Sequence, residues 1–132
     1  MIREWATDEV VELTGVTRCC LEHWVTEGVV KQGNSGELES LRWNYSDLMD
    51  VCLSQKLRDF GFPLDKISEI IDGFDDAIEG TLNLYLVGNE EETHWIEHSW
   101  PEVSSLIPTY HDHICIRISD IIRDLNYRLE SR

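Results

Sequence analysis

Basic residues are scarce in this chain. Eleven Lys and Arg stand against 26 Asp and Glu, a formal charge of −15 at pH 7. A charge of that size and sign opposes loose attraction to nucleic acid or to anionic membranes. A salt-rich cytoplasm produces the same imbalance, with Lys rare and acids abundant. Long apolar runs are absent too. No stretch approaches the roughly 20 residues needed to span a bilayer. The N-terminus, MIREWATDE, is acidic and lacks an apolar run, so no secretory leader is expected. The four cysteines, at positions 19, 20, 52 and 115, form no CxxC, and Cys19 and Cys20 are too close for an ordinary bridge. Reduced thiols in a cytoplasmic protein are the expectation. There is no Ser/His/Asp set, no phosphate-binding glycine loop and no framed pair of carboxylates. The chain is therefore not expected to be an enzyme, and no cofactor is implied.

What is present suffices for a folded globule. Apolar residues make up 42% of the chain, five of them Trp. At 132 residues a core can form without disulfides or metal.

Residues 13 to 30, LTGVTRCCLEHWVTEGVV, carry the strongest local pattern. Thr7 is placed to cap a first helix, with Asp8 and Glu9 at its positive end. Leu13 and Gly15 close it, Gly15 by taking the left-handed conformation of a helix stop. Thr17 caps a second helix running to about Glu27. Leu21, Trp24 and Val25 form its buried stripe, and Gly28 ends it. Helix, tight turn, helix is the grammar of a helix-turn-helix. Val29-Val30-Lys31 and residues 38–45 then read as two arms of a hairpin around Gly33-Asn34-Ser35-Gly36. Ser46-Asp47 caps a third helix that Gly61 ends. Pro63 lies in the first turn of a fourth, with Ile67, Ile70 and Ile71 on one face, and it fades over residues 73–76.

The composition then shifts. Residues 81–87 and 93–98 alternate as strands, and Glu90-Glu91-Glu92 between them reads as a solvated turn. Pro101 opens a short helix to about Ile107, and residues 113–118 form a third strand. Ser119-Asp120 caps a last helix whose stripe is Ile121, Ile122, Leu125 and Leu129. That stripe suits a dimer seam or packing on its own sheet. The predicted fold class is α+β: a winged helix-turn-helix at residues 1–76, then a small α/β module at 80–132 that dimerises the chain or senses a signal.

The ordered pieces from residue 5 to 71 resemble the MerR-type winged helix-turn-helix family. They are Leu13-Thr14-Gly15-Val16-Thr17, Leu21 and Trp24, Glu27-Gly28-Val29-Val30, Arg42, Tyr45-Ser46-Asp47-Leu48, Leu57-Arg58, Phe60-Gly61-Phe62, Pro63-Leu64, and Ile67 with Ile70. The resemblance implies a homodimeric, DNA-binding transcription regulator. Its second helix would enter the major groove and its wing would contact the backbone. The DNA-contacting candidates are Thr17, Arg18, His23, Lys31 and Arg42. The chain also departs from the family. Basic residues are usual near positions 19 and 22, with an aromatic pair at 23 and 24; here stand Cys19, Glu22, His23 and Trp24. The sensor cysteines of metal-sensing members follow the fourth helix, where residues 73–81 contain none.

Residues 1–78 hold seven Lys and Arg against sixteen acids, 7 − 16 = −9. Phosphate neutralisation supplies most non-specific DNA affinity, and this half has little to give. A second reading follows: an acidic protein-interaction module on a winged-helix frame. The acidic chaperone-modulator proteins, which resemble MerR-type domains, set the precedent. Glu22 and Glu27 would then face a basic protein partner or imitate DNA phosphate. In the second half, His94 and His98 share one strand face, and His111, His113 and Cys115 share another. Such a set suits Zn²⁺ or a similar metal, but its spacing matches no closed site. No metal is therefore expected.

Overall fold

The computed structural model describes residues 3–30, 40–77, 84–88, 93–97 and 114–131. A two-residue strand, β1 (Trp5–Ala6), leads into α1 (Thr7–Thr14). The cap falls one residue before the predicted Thr7. Ala6 is the cap residue, and Glu9 Oε1 accepts its N–H at 3.0 Å. Thr7 instead turns inward, where its Oγ1 accepts the Trp43 indole N–H at 3.0 Å. The Trp43 indole is fully buried, and Thr7 supplies the partner for its proton.

Gly15 ends α1 at φ +77, donating its N–H to Val11 O at 3.0 Å. After Gly15 and Val16, Thr17 caps α2 (Arg18–Thr26), its Oγ1 accepting the Cys20 N–H at 3.2 Å. Leu21 and Trp24 are buried and Val25 is half-buried, as the stripe predicts. Beyond Glu27 the chain turns at Gly28, and Val29 and Val30 bury themselves while donating back to Trp24 O.

The predicted hairpin is corrected in part. Val29 and Val30 form a bend, not a strand arm. Strand β2 (Arg42–Trp43) pairs antiparallel with the N-terminal β1, Trp5 opposite Trp43 and Ala6 opposite Arg42. Both indoles are buried, and a cross-strand pair of aromatic residues stabilises the β1–β2 pairing. The predicted tip at residues 33–36 lies outside the described residues.

Helix α3 (Tyr45–Asp59) starts at an Asn44 cap rather than at Ser46-Asp47. Asn44 Oδ1 accepts the Asp47 N–H at 2.9 Å, and Asp47 Oδ2 accepts the Asn44 N–H at 2.9 Å. This is a reciprocal capping box, made possible by the extended backbone at Asn44. Pro63 directly precedes α4 (Leu64–Ala77), which continues through Gly73 instead of fading there. A glycine inside a helix costs about 1 kcal/mol. Burying Phe74 one residue later returns more, roughly 1.5–3 kcal/mol. Ile67, Ile70, Ile71 and Phe74 form one buried stripe.

The second half contributes an antiparallel sheet in the order β4-β3-β5, made of β3 (Leu84–Gly88), β4 (Thr93–Glu97) and β5 (Ile114–Arg117). The short helix predicted from Pro101 falls outside the described residues. Helix α5 (Ile118–Glu130) follows β5 without a loop, so Arg117, not Ser119-Asp120, occupies its cap position. Ile121 and Leu125 are buried, and α5 lies against α1, α3 and β3. One apolar cluster joins Trp24, Trp43, Leu57 and Ile71 to Leu86, Ile116, Ile118 and Leu125. The fold is α+β, a helix-turn-helix followed by a small module. None of the described helices is long and apolar enough to cross a membrane.

Candidate nucleic-acid interface

Burying Leu21 and Trp24 turns the opposite face of α2 outward. Cys19, Glu22, His23 and Thr26 are exposed on it, and Arg18 is half-buried at its start. Helical spacing places positions 18, 19, 22, 23 and 26 along one face. This is the surface that a major groove would meet.

Two of the five predicted contact residues adjoin at the start of α2. Thr17 is exposed, and a hydroxyl that accepts at a cap keeps its own proton to donate. Arg18 Nη1 lies 2.6 Å from Asp8 Oδ1 of α1. The two side chains are 39% and 86% exposed, so the pair is worth roughly 0.2–1 kcal/mol, and a phosphate can compete for the guanidinium. His23 follows Glu22 on the outward face, with one acid and one imidazole side by side. Arg42 is exposed on β2, opposite Ala6, so it stands on a different element from the helix candidates. Lys31 lies outside the described residues.

The structure adds two cations that the candidate set omits. Arg58, at the end of α3, stands beside α2. Its Nη1 is 3.0 Å from Cys20 Sγ, and its guanidinium is 5.8 Å from the centre of the Trp24 ring. Its side chain is 47% exposed. The signal for it was present in the Leu57-Arg58 pair, a buried Leu followed by an outward Arg at a helix end. A cation there also suits the negative end of α3, so its placement has a structural reason as well. Arg3, exposed, lies 5.0 Å from the centre of the Trp5 ring, next to the β1–β2 ribbon.

The histidine set is only partly described. Val87 of β3 pairs with His94 on one side and Cys115 on the other. That register separates the two by two strand spacings, about 10 Å between backbones. Burial pushes the Cys115 thiol above its ordinary pKa. His98, His111 and His113 lie outside the described residues. Among the described residues, no group of three or more His, Cys, Asp and Glu side chains is arranged to hold a metal ion.

Residues 6–73, just over half of the chain, match the family described as MerR HTH family regulatory protein. The match begins at Ala6, the last residue of β1, and stops within α4, so it covers the helix-turn-helix, β2 and α3. No curated protein matches the chain.

Proposed function

The chain belongs to the MerR helix-turn-helix family, and on that premise we propose that it is a transcription regulator binding a short palindromic DNA site as a homodimer. The observation that carries this reading is the α1–turn–α2 unit, with Thr17 capping α2 and the 18/19/22/23/26 face turned outward. In a helix-turn-helix the second helix lies in the major groove, its first residues at base edges. Thr17 and Arg18 stand there. Arg42 on the ribbon, Arg58 beside α2 and Lys31 after it supply backbone contacts. His23 faces the groove from the second turn. The unit at 1–76 reads DNA, and the module at 80–132 dimerises the chain or senses a signal. This work is done in the cytoplasm, without a resident cofactor or metal.

The net charge sets how such binding behaves. Few cations per protomer mean little counterion release, so affinity rests on geometry and its salt slope is shallow. A gel-shift series against genomic fragments at low salt tests the reading. Specific retardation is expected. Arg42→Ala should weaken all sequences alike and lower the salt slope by about one. Arg18→Glu should abolish binding while the fold persists, because a helix first turn tolerates an acid. No specific site at low salt overturns the proposal.

One observation favours a second reading. Arg18 is already engaged by Asp8, and Glu22 is exposed in the middle of the face. A basic protein partner would find that face complementary. In that case Glu22→Arg is the damaging change and Arg42→Ala is silent. Pull-down with and without nuclease separates the two readings.

A further inference from the structure

The last helix of the chain returns to the helix-turn-helix at two points. Arg128 Nη1 lies 3.1 Å from Leu13 O and 3.3 Å from Thr14 O, the final carbonyls of α1. Asn126 Oδ1 accepts the Tyr45 hydroxyl at 2.9 Å, at the first residue of α3. Both contacts come from one turn of α5.

The first contact answers a need of α1. The last carbonyls of a helix have no partner within it. Gly15 N–H takes up Val11 O, and Arg128 takes up Leu13 O and Thr14 O. Helix α1 has Asp8 and Glu9 in its first turn and no basic residue in its last. Arg128 supplies that missing charge from the far end of the sequence, and the bonds are charge-assisted and aligned with the helix dipole.

The place it grips matters more than the bonds themselves. Only Gly15 and Val16 separate Thr14 from the Thr17 cap of α2. Thr14 Oγ1 donates to Val10 O at 2.8 Å and accepts the Val16 N–H at 3.3 Å. Thr17 Oγ1 then holds the Cys20 N–H. The end of α1 thus fixes the start of α2 through a short, hydrogen-bonded path. The second contact holds the other flank, because Tyr45 follows Asn44, the cap of α3, and Trp43, the end of the ribbon.

We infer that Arg128 and Asn126 are positioning residues for DNA recognition: through them the second half of the chain sets the start of α2 relative to the ribbon. The inference rests on the DNA-binding reading for its consequence, and its structural part is measurable without DNA. Arg128 touches no groove face, so it acts through the turn. It is exposed, and a grip that solvent reaches can be released.

Hydrogen exchange of the full chain tests the structural part. In Arg128→Gln, amides of residues 16–21 should exchange about tenfold faster, as expected for losing bonds to a charged donor. Leu53 and Leu57 in the core should keep their protection. R128K keeps the charge at the carbonyls and should recover most of the lost protection. Tyr45→Phe removes only the second anchor and should loosen residues 42–47 instead. On a bound DNA fragment, R128Q should weaken specific affinity about tenfold with an unchanged salt slope, since no phosphate contact is lost. Unchanged exchange at 16–21, or loosening shared equally by Leu53 and Leu57, overturns the inference. So does a loosened turn with undiminished specific affinity. If the wild type binds no DNA but the exchange pattern appears, the positioning contact stands and the DNA-binding reading fails.

Discussion

The two faces of α2 obey different rules. Its inward face is conventional: Leu21 and Trp24 are buried, Val25 is half-buried, and the backbone returns to Trp24 O from Val29 and Val30. Its outward face carries Cys19, Glu22 and His23 where the family usually places basic and aromatic residues. Packing fixes the inward face, because a cavity or a misfit there unfolds the domain. Core packing does not constrain the outward face, where Arg18 pairs with Asp8 and the exposed residues stand open to a partner. Membership of a fold family is therefore read from one face and function from the other, and the two can diverge along a single helix.

The contrast predicts unequal costs. Trp24→Ala should destabilise by about 3–5 kcal/mol, as large buried aromatics do. His23→Ala, its neighbour on the outward side, should stay within about 0.5 kcal/mol. Urea unfolding of both variants checks this, and similar losses would break the comparison. Cysteines extend it. Cys52 lies half-buried between α3 and α5, and burial pushes its thiol from 9.0 up to about 11. Below pH 9 the folded and unfolded chains both keep that proton. Between pH 9 and 11 the unfolded chain loses it first, so stability falls as pH rises, by on the order of 2 kcal/mol. Cys52→Ala should remove that part of the alkaline loss, as read from urea midpoints at pH 8 and 11. Cys19, exposed on the outward face, should alkylate well before Cys52 at pH 8. Gly15→Ala comes next. Nothing lies within 4 Å of an added Cβ, so the cost comes from backbone conformation alone, φ +77, at about 1–2 kcal/mol. A Tm drop is the expected outcome.

Local signals were legible and distant ones were not. Gly15, Gly28 and Gly61 each stop a helix where the sequence places a stop, all at positive φ. The Thr17 cap and the Leu21/Trp24 stripe are equally local. Caps slipped where good candidates crowd together. Asn44, Ser46 and Asp47 all cap well, and the extended backbone at Asn44 decides among them. Thr7 reads as a cap until Trp43, 36 residues away, claims its hydroxyl. Strands β1 and β2 are two residues each, too short for any alternation to register. In the candidate interface, Thr17, Arg18 and Arg42 have places on the α2 start and the ribbon. Arg58 is legible as an outward cation after Leu57, but its place beside α2 shows only when the end of α3 is set there. Arg128, 115 residues from Leu13, carries no trace of its role in its own neighbourhood.

The smallest effect tests the outward face most directly. Asp8 holds Arg18 at 2.6 Å, but both side chains are solvent-accessible. Asp8→Ala removes that pair and one favourable acid from the first turn of α1, together worth no more than about 1 kcal/mol of stability. Its effect on binding has the opposite sign. Arg18 loses a competing carboxylate, and the surface facing DNA loses one negative charge. Specific affinity at low salt should therefore rise several-fold, with the gain shrinking toward 200 mM salt as screening takes over. A basic protein partner would respond in reverse, since the same change removes an acid it could pair with. Titrating wild type and Asp8→Ala against one DNA fragment at 50 and 200 mM salt reads the sign. A gain confined to low salt means that Arg18 meets phosphate. A loss of DNA affinity would mean that the Asp8 pair orients Arg18 for a base edge, making the outward face as specified as the inward one.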